Sequence, residues 1–365
     1  MMLVRVLAAV LGGSIVGAVV MSAVRTVVVP RGEPVLLTRL VFVGVRKLFA
    51  PMVHPRWSYE RRDRVMARFA PTALMLLPLA WASGVVVGFT LIYWATVQRG
   101  IDEALLLSGS SLTTLGFERA DDATMHLTVI EALLGLALVA LLISFLPTIY
   151  GHFSRREATV AKLYSRAEDR DGVAHPATFL IRSHLVGGLG QLDEMWHDCE
   201  QWFVELGESH TSFASLVYFR SPSPERSWIT ASGVLLDAAA LTLSTVDGER
   251  SPRASFMIRA GFLSLRDIAR FFSIPFDDDP SADDPISITR EEFDEVYERL
   301  KQAGVPVRAD QDQAWRDFVG WRVNYDTVLI RLAALVMAPA QPWVSDRSVV
   351  GWTPRVRDAR HRRSP

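Results

Sequence analysis

From Ala70 to Val97 the chain carries no charged side chain. About 20 apolar residues suffice to cross a bilayer as a helix, and in lipid the backbone is satisfied only by a helix or a closed barrel. The run is long enough, and its Pro71, Pro78, Gly84 and Gly88 are residues that a membrane bundle tolerates. Two more stretches meet the same requirement: Val6–Val24, and Met125–Tyr150, which is interrupted only by His126 and Glu131. The first has the outline of a signal peptide, but it is long enough to span and no clear A-x-A site follows, so a retained anchor is expected. Half of the 365 residues are hydrophobic and the net charge is −1, so part of this chain is expected to live in lipid. Cys199 is the single cysteine, which rules out an intrachain disulfide and fits a reducing compartment for the soluble part.

Basic residues give the orientation. Arg56, Arg61, Arg62, Arg64 and Arg68 precede the second span, and Arg155, Arg156, Lys162, Arg166 and Arg170 follow the third. Between them lie only Arg99 and Arg119, against Asp102, Glu103, Glu118, Asp121 and Asp122. The positive-inside rule therefore places both outer flanks in the cytoplasm and the middle loop outside. Residues 39 to 49, "RLVFVGVRKLF", are amphipathic and basic, and predict an interfacial helix on the inner leaflet.

Past Tyr150 the pattern changes to amphipathic helical periods: "LGQLDEMWHDCEQWFVEL", "SWITASGVLLDAAALTLSTV", "ASFMIRAGFLSLRDIARFF", "TREEFDEVYERLKQAG" and "DQAWRDFVGWRVNYDTVLIRLAALVM". Thr289 and Glu292 predict a capping box, with Gly304 and Pro306 ending that helix. The best strand candidate is "SLVYFRS"; "FDDDPSADDP" reads as a mobile acidic loop, and "RVRDARHRRSP" as a basic tail suited to anionic lipid. The expected layout is an all-α membrane protein. It has an N-terminal anchor (1–36), an amphipathic basic linker (37–69), a two-span module (70–151), a cytosolic linker (152–175), a cytosolic helical domain (176–345) and a basic tail (346–365).

The string "SGSSLTTLGFE", residues 108 to 118, lies between the two later spans. "GIDEALLLSGSSL" predicts a helix of about three turns, too short to cross, and irregular backbone at membrane depth is allowed only where it is covered by protein or lines a watery cavity. Small residues with one glycine let main-chain carbonyls face a dehydrated cation, with threonine hydroxyl as a further oxygen ligand. The C-terminal end of such a helix is its negative end. Helix, short helix, T-x-G-aromatic string and helix together resemble the pore module of bacterial two-transmembrane potassium channels of the ion-transport group, whose filter reads T-V-G-Y-G or T-I-G-F-G. Thr114, Leu115, Gly116 and Phe117 match the first four filter positions, with Thr113 before them. Glu118 stands where the family has glycine, and Arg119 where an aspartate is usual. The resemblance covers about residues 70 to 155. It implies a homotetramer in the bacterial inner membrane, monovalent cations (potassium first) as the permeant species, and Gly135 at the inner-helix bend; as a small residue Gly135 can equally permit close helix packing. Glu131, an acid inside a span, is expected either to line the pore or pair within the bundle, or, about two turns from the outer end, to be a snorkelling structural carboxylate.

Elsewhere the chemistry is sparse. Glu194 and His197 have Glu-x-x-His spacing with Asp193 nearby, but no second copy exists to build a dinuclear site. His175, His184 and His210 give no ligand spacing, the acidic loop lacks an EF-hand pattern, and Ser223–Trp228 reads as a helix start. Trp196, Trp202, Trp315 and Trp321 read as core. No P-loop, dinucleotide fingerprint or nucleic-acid surface is present, so neither an enzyme nor a cofactor is expected. The leading expectation is a potassium-channel-like cation channel with a cytosolic regulatory domain. The alternative is a membrane-tethered signalling or interaction protein whose pore loop does not conduct.

Overall fold

The computed structural model describes residues 2–28, 35–54, 56–96, 100–118, 121–122 and 124–347; Arg99, Arg119 and the basic tail from 348 onward lie outside them. Of the described residues 74% are helical and none forms a strand. Three stretches are long and apolar enough to cross a membrane: Met2–Val27, Tyr59–Thr96 and Met125–Ala167. The chain divides into two compact units, one of residues 1–57 and 65–151, the other of Ser58–Arg64 with the chain from His152 onward.

The first unit is built on α1 (Met2–Val27), α2 (Leu36–Phe49), α4 (Phe69–Thr96), α5 (Ile101–Leu112) and the first half of α6 (Met125–Ala167). The short α3 (Tyr59–Met66) precedes α4. The pair α1–α4 approaches backbone to backbone. A Cβ on Gly12 would lie 2.4 Å from the Gly88 carbonyl oxygen, and one on Gly84 would lie 2.6 Å from Val19 Cγ2. Gly84 and Gly88 are thus a small-xxx-small seam, the device by which membrane helices pack without a hydrophobic driving force. Trp81 Nε1 donates to Ser22 Oγ across the same seam at 3.3 Å. The amphipathic α2 buries Val45 and sets Phe42 and Phe49 edge-on against Phe69.

The second unit holds α7 (Pro176–Leu185), α8 (Leu192–Ser212), α9 (Trp228–Ser244), α10 (Pro252–Phe271), α11 (Arg290–Gln302), α12 (Gln311–Arg322) and α13 (Asp326–Val336). Local signals explain most of their ends. Thr289 and Glu292 form the reciprocal capping box, Gly304 follows α11 at φ +82°, and Ser227 starts α9 by accepting from Ile229 N. The core is one cluster centred on α9, whose Leu235, Leu236 and Ala238 to Leu241 are completely buried. Leu235→Ala is expected to lower the stability of this unit by about 2–5 kcal/mol, the range for a cavity at a fully buried leucine. A urea titration monitored by tryptophan fluorescence checks this, and a loss below about 1 kcal/mol would mean that the site collapses around the gap.

Four local expectations change. "SLVYFRS" is not a strand: Ala214–Tyr218 is a 3-10 helix, with Ser215, Leu216 and Val217 buried in succession rather than alternating. The long period over 312–337 is two helices, because the chain turns at Val323–Tyr325 so that Arg322 and Tyr325 both reach Asp237. The stretch after Tyr150 stays helical to Ala167, and its Val160, Leu163, Tyr164 and Ala167 belong to the core of the second unit. The acidic loop is anchored as well: Arg266 Nη1 donates to the Asp278 carbonyl at 2.8 Å and Arg270 Nη2 to the Asp278 carboxylate at 2.6 Å.

Candidate functional site

The short helix α5 has 12 residues, roughly 18 Å at about 1.5 Å per residue, against about 30 Å of hydrocarbon. Its depth is set by two contacts. A Cβ on Gly135 would lie 2.1 Å from the Leu112 carbonyl oxygen, so α6 accepts the last residue of α5 only because position 135 has no side chain. Gly135 sits roughly 15 Å along α6, counted from Met125 at about 1.5 Å per residue. On the other side, Ser108 Oγ lies 3.2 Å from the Val86 carbonyl, again roughly 15 Å from the Thr96 end of α4. The helix therefore ends about halfway down its two long neighbours. Of the two roles the sequence offered Gly135, a bend or close packing, the contact with Leu112 is of the second kind.

A polar node locks this seat. Glu131 is completely buried; its Oε1 accepts from Ser108 Oγ at 2.5 Å and its Oε2 from Tyr93 OH at 2.9 Å. One carboxylate thus ties α4, α5 and α6 together, and both of its oxygens have donors, as a buried acid in a membrane requires. The sequence singled out Glu131 but neither Tyr93 nor Ser108. They stand 38 and 23 residues away, and no local pattern reveals such a pairing.

Beyond Leu112 the chain leaves the helix through Thr113, then turns left-handed at Thr114 (φ +57°) and again at Gly116 (φ +69°). The amides of Leu115 (3.1 Å) and Gly116 (3.4 Å) return to the Ser110 carbonyl, and that of Thr114 to Ser111 (3.0 Å), a double closure of the Schellman type with threonine where glycine is usual. Ser110 Oγ also accepts from Glu118 N at 3.1 Å, so Ser110 organises the whole string. Residues 113 to 117 are all exposed, Leu115 at 70% and Phe117 at 61%; Glu118 is half-buried. The six residues Thr113–Glu118 thus form one loop hung from the end of α5, and Glu131 and Gly135 hold the helix that carries it.

The residues weighed as ligands belong to the second unit. Asp193, Glu194 and His197 are exposed on α8, and Asp193 accepts from Ser251 Oγ at 2.5 Å. Among the described residues no group of three or more His, Cys, Asp or Glu side chains could hold a metal ion. Trp196 and Trp202 are buried; Trp315 and Trp321 pack against the core. His210 is buried, with Arg156 Nη1 donating to its Nε2 at 3.2 Å. His175 caps α7: its Nδ1 accepts from Ala177 N at 3.1 Å and so cannot carry a proton.

The histidine cap has a consequence for acid stability. Burial, reinforced by the nearby Arg299, pushes the His175 imidazole down from 6.5 to about 4. The native state stays neutral where the unfolded chain already binds a proton, so stability falls as pH drops through the window from 6.5 to about 4. The loss is on the order of 3 kcal/mol from this residue alone. In His175→Gln, urea midpoints should vary less across that window; an unchanged pH profile would mean that His175 is protonated in the folded state.

No protein-family model matches the chain, and neither a curated protein nor a solved structure does.

Proposed function

We propose that this chain is one subunit of a potassium-channel-like cation channel in the bacterial inner membrane. Four copies would surround a pore lined by Thr113 to Glu118. The observation that carries the reading is the seat of α5: a half-length helix stops beside Gly135, midway along α6, and hands over to five consecutive exposed residues of irregular backbone. Such backbone at membrane depth needs water or further protein against it, and a ring of copies around an aqueous path supplies both. The negative end of α5, the threonine hydroxyls and the Glu118 carboxylates favour a cation there. The middle loop then faces outward, and the helical unit lies in the cytoplasm in a regulatory, non-enzymatic role.

One observation favours the alternative of a non-conducting, signalling tether. The amides of Thr114, Leu115, Gly116 and Glu118 are already satisfied by Ser110 and Ser111, so the loop is a self-contained helix cap. Ion flux from purified protein in liposomes separates the two. The channel reading expects cation flux with modest potassium-over-sodium discrimination, since Glu118 replaces the glycine of the resembling family. Glu118→Gly should raise that discrimination, and Glu118→Gln should lower the cation-over-anion preference without changing assembly. Absence of flux for several cations leaves the tether.

A further inference from the structure

Ser58–Arg64 lies in the sequence between membrane elements, yet it belongs to the same compact unit as the chain from His152 onward. One side chain makes much of that connection. Arg220, between the 3-10 turn and α9, directs Nη1 at the Tyr59 hydroxyl (3.0 Å) and at the Asp63 carboxylate. Its Nη2 donates to the carbonyls of Val336 (2.7 Å) and Met337 (3.2 Å). These are orphan carbonyls at the end of α13, where Met337 turns left-handed at φ +52°. Tyr59 and Asp63 are four residues apart and so share one face of α3, and Tyr59 OH also reaches the Met337 carbonyl at 3.3 Å. The Arg220 and Asp63 side chains are each only 11% exposed.

The character of this seam matters. α3 has eight residues, "YERRDRVM", too few to hold a helix unaided, and Glu60, Arg61 and Arg64 on its remaining surface are exposed. Asp63 is the one buried residue of α3, so little apolar surface opposes separation and the polar contacts supply most of the hold. The chain then turns through Ala67 and Arg68 straight into α4, with Arg68 N bonded to the Val65 carbonyl and Thr72 N to the Arg68 carbonyl. Only two residues thus separate α3 from α4.

We propose that the contact of Arg220 with Tyr59 and Asp63 is a releasable latch through which the helical unit restrains the start of α4. The latch stands whether or not the loop at 113–118 conducts, and its test uses no flux. Full-length protein in lipid nanodiscs carries a nitroxide at Arg68→Cys; Cys199 is buried at 2% exposure and does not compete for the label. Asp63→Asn and Tyr59→Phe remove the α3 side of the latch while Arg220 keeps its hold on α13. The doubly substituted protein should exchange its amides at 59–66 about tenfold faster, as expected for losing a hydrogen-bonded charge pair, with α9 amides unchanged. The label at position 68 should become more mobile in parallel, and Tyr59→Phe alone, which keeps the ion pair, should move both readouts part of the way. Parental exchange at 59–66 overturns the latch. Faster exchange with an unmoved label overturns the restraint on α4.

Discussion

Arg322→Met should be the most damaging single substitution in the helical unit, with an expected loss of about 3–5 kcal/mol. Arg322 is completely buried. Its Nη1 meets both oxygens of Asp237 at 2.5 and 2.6 Å, its Nε meets Asp326 at 2.8 Å, and its Nη2 donates to the Trp343 carbonyl at 2.5 Å. Tyr325 OH adds a donor to Asp237 at 2.9 Å, and Ser287 donates to Asp326 through its amide (2.9 Å) and hydroxyl (2.7 Å). Burial works against the charged guanidinium, but the two carboxylates outweigh it and hold Arg322 above the usual arginine range. Methionine fills much of the volume and leaves two carboxylates buried with no cation, which is the costly way to break such a cluster. Removing Asp237 as well, as Asp237→Asn, should recover part of the loss. Urea unfolding of the full chain measures both; a loss under about 1 kcal/mol for Arg322→Met would mean that water reaches the carboxylates.

The largest effect in the membrane unit is expected from Gly135→Val. The obstacle its Cβ meets is backbone, the Leu112 carbonyl at 2.1 Å, which cannot rotate aside as a side-chain tip can. Either α5 moves or α6 does, and both draw Ser108 away from Glu131, leaving a buried carboxylate short of a donor. Overpacking of this kind costs about 1–3 kcal/mol before the lost hydrogen bond is counted. On the channel reading flux should vanish. Gly109→Ala is the control, since nothing lies within 4 Å of a Cβ at that position. A Gly135→Val protein with the parental melting temperature and flux would show that α5 is not seated against α6.

Local signals carried much of this architecture, and long-range pairing was hidden from them. The apolar runs, the capping box at Thr289 and the short helix now seen at Ile101–Leu112 were all legible because each is written within a few turns of sequence. Glu131 was conspicuous as an acid in a span, but its partners were not, since a lone tyrosine and one serine among several carry no sign of where they will meet it. Asp237 is the single charge in a 17-residue helix, a visible oddity; its partner Arg322 lies 85 residues on, inside a period that continues smoothly through the break after it. The boundary at 176 missed Val160 to Ala167 because the apolar pattern of a membrane helix and that of a buried domain helix run into one another without a turn signal. Glycine was legible only as a choice: Gly135 suggested either a bend or close packing, and the space it leaves is filled by another backbone.

The membership of α3 in the second unit also has a consequence for how the protein is made. Asp63 leaves the ribosome 157 residues ahead of Arg220. At about 5–20 residues per second that is roughly 8–30 s of synthesis. Throughout that interval α3 lacks its Arg220 partner, while α4, α5 and α6 are synthesised behind it. The Val336 and Met337 carbonyls that complete the Arg220 contact appear later still. The helices of the first unit are thus all synthesised before the segment leading into α4 can meet Arg220, and for the latch proposed above that meeting is a late event in the birth of each molecule.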